Sequence, residues 1–221
     1  MSKQPEFDVA IIGAGVVGLS IAHFLSKTKL SVLVLDSEDN FGRVTSSRNS
    51  EVIHSGIFNP PNSLKYQLCR RGNELIYKFC DVNKIWYKNC GKIIVSKEEE
   101  IDNFNTFTET LSRKKIEYDI LTSDQSSKME NHIISDKSIY IDSAGVIDSH
   151  DYMNHLFRIA SNNCTFIFES KANEIEKMHD RYQLKIQRKN KEIETIKKIT
   201  NKIRKKFFII WKPYFLFLLN T

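Results

Sequence analysis

Three glycines near the amino terminus, Gly13, Gly15 and Gly18, follow the spacing GxGxxG. In this pattern the first glycine permits a tight turn, the second lets a pyrophosphate approach the backbone, and the third lets a helix pack closely on a strand. Asp36 stands 18 residues after Gly18. A carboxylate at that place accepts hydrogen bonds from a ribose 2′-hydroxyl and repels a 2′-phosphate. Together these residues predict a site for an adenine dinucleotide such as FAD or NAD rather than NADP.

The segments around these residues predict the βαβ unit that such a site needs. Phe7–Ile12 is a short apolar run rich in β-branched residues, Leu19–Lys27 has apolar residues at helical spacing, and Ser31–Leu35 has the pattern of a second buried strand. A strand, a glycine turn, a helix and a strand that ends in an acid predict a parallel sheet. Glycine-rich turns also occur without a ligand, so a nucleotide-free α/β layer is the alternative. The pattern alone does not separate FAD from NAD.

The remainder of the chain predicts further helices and strands. A long helix is expected from residue 62 to about residue 83, after Pro60 and Pro61, because proline favours the start of a helix. Apolar patterning places the other helices and strands at 91–96 (strand), about 98–115 (helix), 116–121 (strand), 138–141 (strand), 149–161 (helix), 164–169 (strand) and 182–186 (strand). This order predicts an α/β fold in which a Rossmann-like layer is interrupted by an α+β region with an antiparallel sheet.

Charge and cysteine content limit the classes of function. Of the formal charge of +6, residues 188–221 hold 10 Lys and Arg against 2 Asp and Glu, which leaves 23 against 25 in residues 1–187. Nucleic-acid binding is not expected, because the basic charge lies in a tail without a recognition module. The four cysteines show neither CxxC spacing nor a histidine at ligand spacing, so no metal site is predicted. A short polar start in place of a signal peptide favours a reducing, cytoplasmic setting.

The end of the chain differs from the rest in composition. Phe207–Leu219 is apolar but 13 residues long, and Lys212 and Pro213 interrupt it. It is shorter than the roughly 20 residues of a spanning helix. A cationic stretch before an apolar one can lie on an anionic membrane surface, so peripheral membrane contact is one expectation. Two other interpretations remain open. The segment was never selected to pack, for instance because the gene or reading frame ends early, or it forms a packed terminal element.

The polar loop Thr45–Phe58, TSSRNSEVIHSGIF, leaves the carboxyl end of the second predicted strand, where such folds bind ligands. Here the sequence resembles the flavin-dependent D-amino-acid-oxidase-like (DAO) superfamily and, within it, the L-2-hydroxyglutarate oxidase/dehydrogenase family. The resemblance extends from about Asp8 to about Ile186. It is carried by the blocks AIIGAGVVGLSIA, SSRNSEVIHSGIFNPPNSLKYQLCRRGNELIYKFC, YKNCGKIIVS and SAGVIDSHDYM.

The resemblance implies a cofactor, a reaction and site residues. FAD is expected along the glycine turn and the flavin-side loop, at Gly13, Gly15, Gly18, Asp36, Thr45, Ser46, Asn49 and Ser50. The implied reaction is oxidation of the C2 alcohol of an L-2-hydroxy acid, L-2-hydroxyglutarate to 2-oxoglutarate, by hydride transfer to the flavin. His54 is the expected base or flavin contact, because a neutral imidazole accepts a proton near pH 7; a histidine that only anchors the loop is the alternative. Lys65 is the candidate partner of a substrate carboxylate, and Arg48 and His150 are weaker candidates.

The resemblance also implies a division of the chain. Residues 1–84 are expected to bind FAD, 85–148 to begin the substrate-binding region, 149–187 to return to the FAD-binding layer, and 188–221 to form a non-homologous tail. Relatives are nearly twice as long, so the fold is expected to be incomplete relative to the family. The chain is then a truncated form of the enzyme, an inactive amino-terminal fragment that binds a dinucleotide at most, or part of a split enzyme that a carboxy-terminal partner chain completes.

Two positions depart from the family pattern. Phe58 and Asn59 stand where relatives commonly have two tyrosines, and Glu51 stands where they often have glycine. The loss of a hydroxyl group leaves other small substrates open, so oxidation of an amino acid or of glycerol phosphate on the same scaffold is another candidate reaction. The sequence does not predict the electron acceptor.

Overall fold

The computed structural model describes residues 6–179, 181–188 and 193–200, which fold into two compact units. The first unit comprises the described residues up to Asn49 and from Ser149 onward, and the second comprises Ser50–Asp148. The predicted cofactor segment 1–84 therefore includes residues of both units. The assignment of segments to FAD and substrate stays a prediction.

The helices and strands alternate between the two units along the chain. The first unit begins with β1 (Glu6–Phe7), β2 (Val9–Ile12), α1 (Val16–Leu25) and β3 (Val32–Leu35). The second contains β4 (Val52–Ile53), α2 (Leu64–Asn83), β5 (Tyr87–Lys88), β6 (Lys92–Ser96), α3 (Ile101–Arg113), β7 (Asp119–Thr122), α4 (Ser123–Met129), β8 (Lys137–Ile141) and β9 (Gly145–Ile147). The chain then returns to the first unit with α5 (Ser149–Ala160), β10 (Cys164–Ile167), β11 (Ser170–Lys177), β12 (Arg181–Arg188) and β13 (Ile193–Thr200).

A three-stranded parallel sheet positions the glycine turn. Its strand order is β10-β3-β2, and the register aligns Val34 with Ile11 on one side and with Phe166 on the other. All four residues of β3 are buried, as expected of a central parallel strand whose two faces are both covered. The predicted βαβ unit is thus confirmed, with α1 connecting β2 to β3.

The predicted first strand is divided at Asp8. The carboxylate of this buried residue accepts hydrogen bonds from the amide and the hydroxyl of Ser31, at 2.9 and 2.8 Å. The chain bends there, so β1 pairs with β13 in a second sheet of order β1-β13-β12-β11 while β2 enters the parallel sheet. An apolar cluster joins the two sheets, formed by Phe7, Ala10, Leu33, Leu35, Ala172, Leu184 and Ile186.

The second unit contains the antiparallel region that the sequence predicted. Its strands form two sheets of order β4-β9-β5 and β6-β8-β7. Helix α3 and strand β8 bury apolar side chains against each other, which explains the amphipathic pattern of both elements. The cluster consists of Ile57, Phe104, Leu111, Ile116, Ile139 and Ile141. The α/β fold with an antiparallel insertion is therefore confirmed.

The carboxy-terminal segment differs from the prediction at its start. β13 lies within the predicted tail 188–221, yet its backbone pairs with both β1 and β12. The sheet therefore continues beyond residue 187. The apolar run Phe207–Leu219 lies outside the described residues. The membrane contact expected of this run therefore lies outside them too. Within the described ranges, every helix is too short or too polar to cross a membrane.

Candidate functional site

The glycine turn has the geometry that its sequence predicts. Gly13 has a φ of +104°, which glycine adopts without strain, and its amide donates to the carbonyl oxygen of Leu35 at 2.7 Å. A Cβ atom added to Gly18 would overlap the carbonyl oxygen of Gly13 and lie 3.4 Å from Cγ2 of Ile11. The third glycine is therefore required because α1 crosses the end of β2 without room for a side chain.

The first turn of α1 offers free amides. Gly15 caps the helix without a side-chain hydrogen bond, and the amide of Val16 donates to Oγ of Ser46 at 3.0 Å. No described residue accepts a hydrogen bond from the amides of Val17 and Gly18. Free N–H groups at a helix start favour an anion, because the helix dipole adds to their partial positive charge.

The space beside this turn fits a phosphate group. A Cβ atom added to Gly13 would meet nothing within 4 Å, so the backbone is open on that side. A Cβ atom added to Gly15 would lie 2.8 Å from Oγ of Ser46 and would crowd the loop against the turn. Open backbone next to unpaired amides is the arrangement that a pyrophosphate needs, and the residues present therefore fit a dinucleotide.

Asp36 is fixed at the end of β3 by four hydrogen bonds. Its carboxylate accepts from the amide of Ala14 at 2.6 Å and from the amide of Glu38 at 3.0 Å. Its backbone amide donates to the carbonyl of Ile167, and its carbonyl accepts from the amide of Ser170. Each carboxylate oxygen accepts one bond from this set and has capacity for another. Asp36 thus orders the glycine turn and can still accept hydrogen bonds from ribose hydroxyls.

The loop after β3 brings only part of the predicted set to the turn. Ser46 contacts the start of α1, as described above. Thr45 is exposed, and exposed Asn49 donates to the carbonyl of Ser46 at 2.9 Å and to Oγ of Ser149 at 3.0 Å, which ties the loop to the start of α5. Arg48 is exposed, and so are Ser50, the first residue of the second unit, and His150 in the first turn of α5. The roles at the flavin predicted for Thr45, Ser46, Asn49 and Ser50, and the weaker candidacy of Arg48 and His150, stay predictions.

In the second unit, the backbone of His54 lies against α2. Its carbonyl accepts hydrogen bonds from Nδ2 of Asn73 at 3.2 Å and from Sγ of Cys69 at 3.4 Å, so α2 fixes its backbone. The residue as a whole is exposed, and its imidazole is covered only in part. Partial burial, the charge of Lys92 and the charge of Lys65 lower the pKa of His54, in that order of importance. The structure thus places Lys65, predicted separately from His54, within electrostatic reach of the imidazole, and Lys92 as well.

We expect the His54 imidazole to titrate below its ordinary pKa of 6.5, because partial burial and two nearby lysines disfavour its charged form. The unfolded chain then binds the proton more tightly than the folded chain. The unfolding free energy therefore falls as the pH is lowered through 6.5 towards the folded pKa, and below that value no further loss occurs.

Nuclear magnetic resonance of histidine-labelled protein measures this midpoint, with His54→Gln to assign the signal. Lys92→Gln is expected to raise the midpoint. Lys137→Gln serves as the matched control, because Lys137 pairs with the far end of β6. A wild-type midpoint at or above 6.5 would contradict the expected shift.

A third lysine, Lys114, holds the loop that follows His54, and no sequence pattern pointed to it. Nζ of Lys114 donates to the carbonyls of Ile57 and Asn59 at 2.6 and 2.8 Å, and it lies 5.6 Å from the centre of the Tyr66 ring. Burial lowers the pKa of Lys114. The residue lies at the end of α3 in a run of charged residues, RKK, which gave no sign of a buried contact.

Comparison with known protein sequences gives one family. The DAO family model, described as FAD dependent oxidoreductase, matches residues 8–201. The chain is 40% identical over 152 residues to the mitochondrial L-2-hydroxyglutarate dehydrogenase of Arabidopsis thaliana. That match covers 68% of this chain and 32% of the plant protein, so the chain spans about a third of the length of this relative.

Solved structures share the fold at low sequence identity. Glycine oxidase from Geobacillus kaustophilus superposes with a TM-score of 0.79 and 18% identity, covering 94% of this chain and 55% of that one. Dithionite-reduced L-α-glycerophosphate oxidase from Mycoplasma pneumoniae, with FAD bound, gives a TM-score of 0.74 and 22% identity, covering 81% and 49% of the two chains. Both likenesses support the fold alone.

Proposed function

Because the chain belongs to the DAO family of FAD-dependent oxidoreductases, we propose that it serves the oxidation of the C2 alcohol of an L-2-hydroxy acid. L-2-hydroxyglutarate is the proposed substrate, and 2-oxoglutarate is the product. The observation that carries the proposal is the anion-binding turn at Gly13–Gly18, next to Asp36, in a chain 40% identical to an enzyme named for this substrate. The FAD expected from the sequence is the family's cofactor.

The first unit supplies the groups that hold the cofactor. The free amides of Val17 and Gly18 and the dipole of α1 bind the phosphates. Asp36 accepts hydrogen bonds from the ribose, and Ser46 keeps the loop against the helix start. Bound FAD supplies a two-electron acceptor, which amino-acid side chains cannot provide.

The second unit supplies the groups proposed to act on the substrate. Oxidation of an alcohol requires loss of the hydroxyl proton, and His54 accepts this proton at Nδ1 or Nε2 because its lowered pKa keeps the imidazole neutral near pH 7. Lys65 pairs with the carboxylate next to the reacting carbon. The two residues belong to one fixed arrangement, since α2 carries Lys65 and also holds the backbone of His54.

A second candidate is that the chain is one part of an enzyme completed by another polypeptide. Among the described residues β2 pairs only with β3, so the outward backbone groups of Ala10 and Ile12 have no strand partner. Parallel sheets are normally covered on both faces and continue through their apolar strands, and an open apolar edge accepts another strand. This observation favours a partner strand beside β2.

The test is flavin retention by the 221-residue chain, followed by reduction. After incubation with FAD and removal of free flavin, we expect visible flavin absorption in molar proportion to protein. Under anaerobic conditions L-2-hydroxyglutarate should bleach it, and the D-enantiomer, as the control, should not. Retained flavin that L-2-hydroxyglutarate leaves oxidised would overturn the proposed substrate. Colourless protein would reject catalysis by this chain alone and favour the second candidate.

A further inference from the structure

The second unit brings two lysines to one histidine without an acidic partner. Lys65 belongs to the first turn of α2, and Lys92 is the first residue of β6. Both charges lower the pKa of His54, so each lysine lies within electrostatic reach of the imidazole. In the described part of the chain neither lysine forms an ion pair with Asp or Glu.

This arrangement is electrostatically unfavourable without an anion. Positive side chains repel each other, and a cation at the start of a helix also opposes the helix dipole. The first turn of α2 contains no acidic residue that would offset Lys65. Local electrostatics that oppose folding are expected where a site binds a ligand of opposite charge.

An aromatic ring, rather than a carboxylate, holds Lys92 near the loop. Its Nζ lies 5.8 Å from the centre of the Phe58 ring, and Phe58 stacks on Phe107 at 5.6 Å. The loop that carries His54 and Phe58 is itself fixed by Lys114, through the carbonyls on both sides of Phe58. Lys92 is therefore directed towards the loop while its charge stays available to a ligand.

We propose that Lys92 is a specificity-determining residue that binds a second carboxylate of the substrate, distinct from the one bound by Lys65. The second unit then selects dicarboxylates over monocarboxylates of similar shape. This inference rests on the proposed function, in which Lys65 pairs with the carboxylate beside the reacting carbon. It adds the residue that recognises the far end of the substrate.

Isothermal titration calorimetry on the 221-residue chain tests the inference without flavin turnover. The probes are 2-oxoglutarate and the monocarboxylate 2-oxobutyrate. We expect Lys92→Gln to weaken 2-oxoglutarate binding about tenfold and to leave 2-oxobutyrate nearly unchanged, because one charge-assisted hydrogen bond is lost. Lys92→Arg should retain most of the preference. Lys137→Gln removes one charge from the opposite end of the β6–β8 pair and should have no effect.

Two results would overturn the role of Lys92. One is that the wild-type chain binds both probes with equal affinity. The other is that Lys92→Gln and Lys137→Gln weaken 2-oxoglutarate binding equally. Circular dichroism confirms that each variant is folded. The flavin experiment tests the proposed oxidation independently of this binding experiment. A chain that retains and reduces FAD without a Lys92-dependent preference refutes only this inference, whereas a Lys92-dependent preference without flavin reduction refutes only the proposed oxidation.

Discussion

Replacement of Gly18 by alanine is expected to lower the unfolding free energy by about 3 kcal/mol, the upper end of the usual cost of overpacking. The added Cβ would overlap the carbonyl oxygen of Gly13 and lie 3.1 Å from its carbonyl carbon. These are backbone atoms, so no side-chain rotation relieves the contact. Alanine gains roughly 0.5–1 kcal/mol over glycine within a helix, which is too little to offset this cost.

Gly72→Ala provides a matched control within another helix. Gly72 lies within α2, and a Cβ atom added there would meet nothing within 4 Å. Only the propensity gain applies, so this variant should be more stable by about 0.5–1 kcal/mol. Urea unfolding followed by far-ultraviolet circular dichroism measures both variants. Equal stability of Gly18→Ala and wild type would contradict the close approach of α1 to the turn.

Asp36→Asn is expected to have the largest effect on cofactor binding. The carboxylate accepts from the amides of Ala14 and Glu38, and an asparagine presents an NH₂ group to one of these two donors. Hydrogen bonds to charged groups contribute about 1.5–3 kcal/mol each, so loss of one lowers the unfolding free energy by a similar amount. FAD affinity should fall at least tenfold, because the turn loses its order and the ribose loses an acceptor.

Asp39→Asn is the control for this charge change. Asp39 forms an exposed ion pair with Arg43 at 3.1 Å, and such pairs contribute little to stability. Titration with FAD, followed by quenching of flavin fluorescence, compares the two variants, and urea unfolding gives the stability independently of the cofactor. If both variants matched wild type in affinity and stability, Asp36 would have no part in ordering the turn.

Strong apolar patterns made much of the fold predictable. The sequence indicated β3 and α2 to within about two residues of their bounds, since burial of one face or of a whole strand leaves a clear period. Apolar patterning did not predict α4 and β11, because their sequences, SDQSSKM and SKANEIEK, are mostly polar. A signal for α4 was nevertheless present: Thr122 and Gln125 form a capping box at its start, and this T-x-x-Q spacing is visible in the sequence.

The site was predictable where its residues are close in sequence. The glycine turn and Asp36 follow from spacing because a βαβ unit fixes their positions locally. The contact of Lys92 with Phe58 depends on where β6 lies in its sheet, and the contact of Lys114 with the same loop depends on the packing of α3. Both join residues more than 30 positions apart, so a pattern along one chain does not specify them. The catalytic role of His54 stays a prediction.

The strand order of the parallel sheet also affects synthesis on the ribosome. β3 obtains its second neighbour from β10, where Ile167 pairs with Leu35 and follows it by 132 residues. At translation rates of about 5–20 residues per second, roughly 7 to 26 s separate the emergence of these two strands. During this interval the buried strand Val32–Leu35 has one open edge, whereas Ser50–Asp148 has already acquired every strand of its own sheets. A nascent chain is therefore most exposed to mispairing before its central strand is covered, and a pause in translation between these strands would lengthen that exposure.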